Sequence, residues 1–105
     1  MNGMAMKELS KIEQHGNNWR IAGDVMMDNA NFILQQSRGL SMGDEILVDF
    51  SAVNKVDTAA LSLMMEWQRR AAGCSSHARF ANLPLNLGRL VSLYGLTDFV
   101  PVSSV

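Results

Sequence analysis

Asp57 and Thr58 stand side by side in the stretch VDFSAVNKVDTAALSLMMEW, Val48 to Trp67, where a strand-like run gives way to a helix-like one. An acid and a hydroxyl at a helix start allow two kinds of chemistry. Either oxygen can cap the helix by accepting a hydrogen bond from a free first-turn N–H, a contact whose loss costs about 0.5–2 kcal/mol. The same place also leaves a hydroxyl exposed, fixed in direction and near the positive end of the helix dipole. Thr58 is then a contact point or a candidate phosphorylation site. A phosphate there would gain from the dipole, sit against Asp57 and add about −1.5 to −2 charge, repelling any partner packed on that spot. Capping accounts well for one of the two residues and only loosely for the second, so both readings stand on the residues alone.

Other constellations fall short of catalysis. The chain has no Walker-type phosphate loop and no G-x-G-x-x-G. No Cys/His cluster has metal-ligand spacing, so neither a metal nor a cofactor is expected. His15 and His77 sit among polar residues, and Ser41, Ser62, Ser75 and Ser76 lack a nucleophile-elbow context. Cys74 is the single cysteine. It excludes an internal disulfide, suits a reducing compartment and reads as an inert thiol. With no converging acid, base and nucleophile, the chain is not expected to be an enzyme. Eight methionines read as adaptable core filler or as a plastic partner-binding surface.

The elements that must position Asp57 and Thr58 follow from periodicity. A chain of 105 residues with 48% hydrophobic and 18% charged residues suits one globular domain, taken as residues 8–105 behind a flexible tail at 1–7. Glu8–Gln14 and Trp19–Gly23 form a hairpin about the HGNN turn, with Trp19 and Ile21 on one face. A helix over Asn29–Arg38, capped by Asp28 or Asn29, turns Ala30, Ile33, Leu34 and Ser37 to one side. Glu45–Phe50 is the clearest strand, and its Ile46-Leu47-Val48 run fits a strand covered on both faces.

In the helix from Thr58 to about Ala72, Ser62, Glu66, Arg69, Arg70 and Gly73 form one narrow polar stripe. Met64 and Ala71 centre the buried side. Leu63 and Trp67 flank it on one edge, Leu61, Met65 and Ala72 on the other. Thr58 projects near Leu61, Ser62, Met65 and Arg69, which become the candidate contact patch if a partner packs there; otherwise Leu61 and Met65 finish the core. His77–Ala81 is a strand. Pro84 to Gly95 holds a last helix with Leu87, Leu90, Val91 and Tyr94 at helical spacing, and a final short strand is expected near Phe99–Val102. The order β-β-α-β-α-β-α implies an α/β fold, a mixed sheet with helices packed on it.

Charge and hydropathy narrow the partners. Nine basic and ten acidic residues leave a formal charge of −1, and the cations Lys55, Arg69, Arg70, Arg79 and Arg89 form no stripe. This disfavours nucleic acid and simple electrostatic membrane binding. Met1–Ser10 shows no signal-peptide pattern, and no run approaches the roughly 18 apolar residues of a spanning helix. A cytoplasmic protein is expected, meeting a membrane, if at all, through a partner.

The run DFSAVNKVDTAAL after an apolar strand resembles the STAS domain (sulphate transporter and anti-sigma-factor antagonist), whose antagonists read D-[LF]-S-x-[VL]-x-x-[IVM]-D-S-[ST]-G-[LI]. Asp49, Phe50, Ser51, Val53, Val56, Asp57 and Leu61 match that pattern. WRIAGD and LGRLVSLYGLTDFV extend the resemblance over nearly the whole domain. Thr58 replaces the usual serine, and Ala59 and Ala60 replace a second hydroxyl and a glycine. VDTAAL and LVSLYGL look closer to the MlaB-like STAS subunit of Mla (maintenance of lipid asymmetry) phospholipid-transport ABC systems. That resemblance implies a cytoplasmic, non-enzymatic subunit that binds an MlaF-like ATPase away from its nucleotide site, and through it the permease, with Thr58 in the interface. The antagonist resemblance implies instead an anti-sigma-factor kinase as partner and phosphorylation at Thr58.

Overall fold

A computed structural model describes residues 10–98, 100 and 102–103. The expected tail at 1–7 lies outside the described residues, as do Glu8, Leu9 and Phe99. The elements run β1 (Lys11–His15), β2 (Asn18–Val25), α1 (Ala30–Ser37), β3 (Glu45–Val56), α2 (Ala59–Gly73), β4 (His77–Ala81), α3 (Leu85–Leu93) and β5 (Val102–Ser103). The five strands lie in sequence order in one sheet. β1 and β2 form the antiparallel hairpin, and every later pairing is parallel.

This topology places the core. Three successive parallel crossovers advance in one direction across the sheet. Because such crossovers share one hand, their helices land on one face. Ile33 of α1, Trp67 of α2 and Leu87 and Val91 of α3 accordingly join Trp19, Ile21, Ile46, Val48, Phe50 and Phe80 in one cluster. The opposite sheet face is open. β3 is therefore not covered on both faces: Ile46, Val48 and Phe50 are buried, while Leu47 and Asp49 are half-buried. β3 also runs past Phe50 to Val56, because its pairing with β2 continues to Val25 opposite Val56.

Two polar residues serve packing in ways their spacing did not announce. Asn29 is the N-cap residue of α1, but its side chain makes no capping bond. It turns back instead: Oδ1 accepts the Met26 amide at 2.8 Å, and Nδ2 donates to the Asp24 carbonyl at 2.7 Å and the Ser10 hydroxyl at 3.0 Å. Arg70 departs from the solvated stripe. It lies over the Trp19 ring at 5.5 Å and donates to the carbonyls of Ser37 and Leu40, closing the end of α1 against α2. The Ser37 carbonyl, at the end of α1, also accepts the Leu40 amide at 3.0 Å, so the guanidinium reinforces a turn already closed.

Candidate functional site

Thr58 has helical dihedrals, φ −63° and ψ −18°. That moves the capping place one residue back, and Asp57 fills it. Asp57 Oδ1 accepts the Ala59 amide at 2.8 Å, and Oδ2 accepts the Met27 amide at 2.9 Å. Both carboxylate oxygens are thus used, one on α2 and one on the β2–α1 loop. The Thr58 hydroxyl makes no capping bond, and the side chain is exposed. The acid caps and the hydroxyl is left over. Asp57→Ala is therefore expected to lower stability by about 0.5–2 kcal/mol. Thr58→Ala should stay within about 0.5 kcal/mol of the parent. Urea unfolding of the two variants checks this; the reverse ranking would mean that Thr58 is the cap.

Thr58 stands on a shallow hollow of about 600 Å³ lined by Leu61, Ser62, Met65, Glu66, Arg69, Tyr94 and Leu96. All five residues of the candidate patch meet there. Leu61 is 6% exposed and belongs chiefly to the core, so it forms floor rather than rim. Met65 is half-buried beside it, and Ser62 is exposed. Arg69 is exposed and ion-paired with Glu66 one turn back. Such a surface pair is worth little in stability, but it holds both charges along one edge. A larger hollow of about 820 Å³ shares Met65 and Arg69 and continues along α2 toward His77 and Arg79 of β4.

Tyr94 and Leu96 were not expected at this place. Helical spacing put Tyr94 on the core face of the last helix, yet α3 ends at Leu93 and Tyr94 is 56% exposed. The cause is a Schellman stop. Gly95 adopts φ +67°, its amide bonds the Ser92 carbonyl, and the Leu96 amide bonds the Val91 carbonyl at 2.9 Å. Glycine takes that left-handed conformation without steric cost. The turn tips Tyr94 outward and brings Leu96 back onto the core beside α2. Gly95 reads as the end of the helix from the sequence; the return of Leu96 is what spacing does not show.

Asp49 and Ser51 of the matched motif lie elsewhere, toward the open face of the sheet. The Asp49 carboxylate accepts the Ser51 amide at 2.9 Å, the Ser51 hydroxyl at 3.1 Å and the Asn82 side-chain amide at 2.9 Å. Partial burial alone would raise its pKa. The Asn82 and Ser51 bonds and the charge of Arg20 outweigh burial and hold the carboxyl below its ordinary value. A folded pKa below the unfolded one gives stability that is full above the ordinary carboxylate range and lost as pH falls through the folded value. The stability gap between parent and Asp49→Asn is thus expected to be constant near neutrality and to shrink in acid. Urea unfolding across that range checks it; a gap that widens in acid would contradict it.

Among the described residues no three His, Cys, Asp or Glu side chains gather to hold a metal ion. No described helix is long and apolar enough to cross a membrane.

The family model of the Mlab STAS domain matches residues 11–101, and the chain belongs to that family. Three solved structures share its fold. A Thermotoga maritima protein described as an anti-sigma factor antagonist superposes with TM-score 0.73 at 12% identity, over 95% of this chain and 90% of the other. The anti-sigma factor antagonist SpoIIAA in its unphosphorylated form gives 0.65 at 12%, over 91% and 88%. An anti-sigma factor antagonist from Mycobacterium paratuberculosis gives 0.69 at 17%, over 91% and 85%. At these identities the likeness is one of fold. No curated protein sequence matches the chain.

Proposed function

We propose that this Mlab-type STAS domain is a cytoplasmic, non-enzymatic subunit that docks on the ATPase of an Mla-type ABC transporter. Through that ATPase it reaches the permease and supports assembly and activity in phospholipid transport. The observation that carries the reading is the division of labour at the start of α2. Asp57 does the capping, so the exposed Thr58 hydroxyl is free at the rim of a hollow floored by Leu61 and Met65. A fixed polar group beside a partly apolar hollow suits a packed protein contact. Membership of the Mlab STAS family supports a protein partner, and the MlaB-like resemblance is what points to an ATPase. Docking can act on the ATPase only by favouring one of its arrangements over another, so the expected effect is on assembly or turnover rather than on chemistry in this chain.

The second reading, an anti-sigma-factor antagonist switched by phosphorylation of Thr58, is favoured by the same free hydroxyl and by a fold shared with SpoIIAA. One experiment separates the two. The protein is tagged and isolated from its host with the membrane fraction solubilised, and its companions are identified by mass spectrometry. An ABC ATPase with its permease is the expected result. A kinase in its place, with phosphate on Thr58, would overturn the transporter reading.

A further inference from the structure

We propose that the docking surface centred on Thr58 continues across the neighbouring loop tips to Met27 and Leu85, and that it takes a protein face with an apolar centre and a basic rim. The proposal rests on the ATPase reading above and describes the other half of the same site.

Two of the exposed apolar side chains stand at one end of the sheet. Among the described residues the large exposed hydrophobics are Met27 (77%), Leu85 (73%), Leu93 (76%) and Tyr94 (56%). Tyr94 lines the Thr58 hollow, with Leu93 next to it in the chain. Met27 is tied to the residue before Thr58 by its amide on Asp57 Oδ2. Leu85 is tied through its neighbour Asn86, whose side-chain amide donates to the Val56 carbonyl at 3.3 Å. The β2–α1 loop and the start of α3 thus each bring an exposed apolar side chain to the strand end where α2 begins, while Leu93 and Tyr94 lie past the far end of α3 along the α2 hollow. Gathered apolar exposure of this kind marks interaction surfaces, whereas single exposed residues need no explanation.

Met27 is also held in advance of any partner. The Met26 amide bonds Asn29 Oδ1, and the Asn29 and Ala30 amides return to the Met26 carbonyl at 3.1 and 2.9 Å. Asn29 is itself 2% exposed and fixed to Asp24 and Ser10. A loop backbone fixed beforehand loses little freedom on binding, so less of the contact energy goes into ordering it.

Charge decides the class of occupant. The hollow beside Met27 is lined by Asp24, Asp28 and Asp57 against Lys55, three carboxylates to one ammonium, a local formal charge of −2. An anionic lipid surface is repelled by such a rim. A protein face carrying Lys or Arg around an apolar centre complements it, and that complementarity acts chiefly on association rate and on choice of partner.

The test is a titration of the purified cognate ATPase with the full chain. The variants are Met27→Ser, Leu85→Ser and Thr58→Glu, with Arg20→Glu on the open sheet face as control. Met27→Ser and Leu85→Ser are each expected to weaken binding about tenfold, and Arg20→Glu to leave it unchanged. The parent's association rate should fall as salt rises, and Asp28→Asn should flatten that dependence. Parental affinity in Met27→Ser and Leu85→Ser, beside loss in Thr58→Glu, would overturn this inference and leave the docking reading standing. Parental affinity in Thr58→Glu would overturn both. Sedimentation of the chain with phosphatidylethanolamine–phosphatidylglycerol vesicles, abolished by Met27→Ser, would assign the patch to a membrane and overturn the inference.

Discussion

Replacement of Trp67 by alanine is expected to destabilise the fold by about 3–5 kcal/mol, a large part of what a small domain has. Trp67 is 1% exposed at the centre of the cluster. Its ring meets Trp19 edge to face, with centroids 6.0 Å apart at 89°. Its Nε1–H donates to the Ser37 hydroxyl at 2.9 Å, and that hydroxyl donates on to the Leu34 carbonyl at 2.7 Å. Alanine would remove the packing, the aromatic pair and the donor together, leaving a cavity between α1, α2 and β2. Trp67→Phe keeps much of the ring and loses the donor, so it should fall between parent and alanine. Urea unfolding of both variants measures this. A loss under about 1 kcal/mol in Trp67→Ala would show that the site collapses without cost and that the two tryptophans do not organise the core.

The second large effect is on binding, not folding. Thr58→Glu is expected to abolish measurable association with the ATPase, at least about a hundredfold in affinity, while leaving the unfolding midpoint near that of the parent. The side chain is exposed and makes no capping bond, so the fold loses little. A helix N-terminus even favours a carboxylate slightly. In a docked complex the same carboxylate would be buried beside Leu61 and Met65, with Asp57 and Glu66 nearby. Burying an unpaired charge against apolar side chains costs far more than the lost hydroxyl contact. Thr58→Ser, which keeps the hydroxyl, should bind nearly as the parent does.

Much of the fold was legible because burial on one side imprints a period. Met64, Ala71, Leu63 and Trp67 repeat at helical spacing and are all buried in α2. Trp19 and Ile21 alternate in β2, and both are buried. What escaped depends on tertiary partners. The strand expected over Glu45–Phe50 stops short of the observed end at Val56 because Ser51, Asn54 and Lys55 are polar, and these face solvent on a sheet with one open side. Arg70 looked solvated because a helical wheel shows neither the Trp19 ring nor the α1 carbonyls it meets. That Thr58, Leu61, Ser62, Met65 and Arg69 share one flank is legible from the wheel of α2 alone. Glu66 also belonged to that wheel but was read as solvated stripe, whereas Tyr94 and Leu96 arrive through a turn after a different helix. The choice between Asp57 and Thr58 as cap could not be read from two adjacent capping residues. It needed the helical dihedrals of Thr58 and the position of the Met27 amide.

The most direct measurement is a calorimetric titration of the purified ATPase with parent, Thr58→Ser and Thr58→Glu, each first shown to unfold at the same urea midpoint. Saturable binding by the parent and Thr58→Ser, with no heat from Thr58→Glu, is the result this account expects. Equal binding by all three would contradict it and place the contact away from the start of α2.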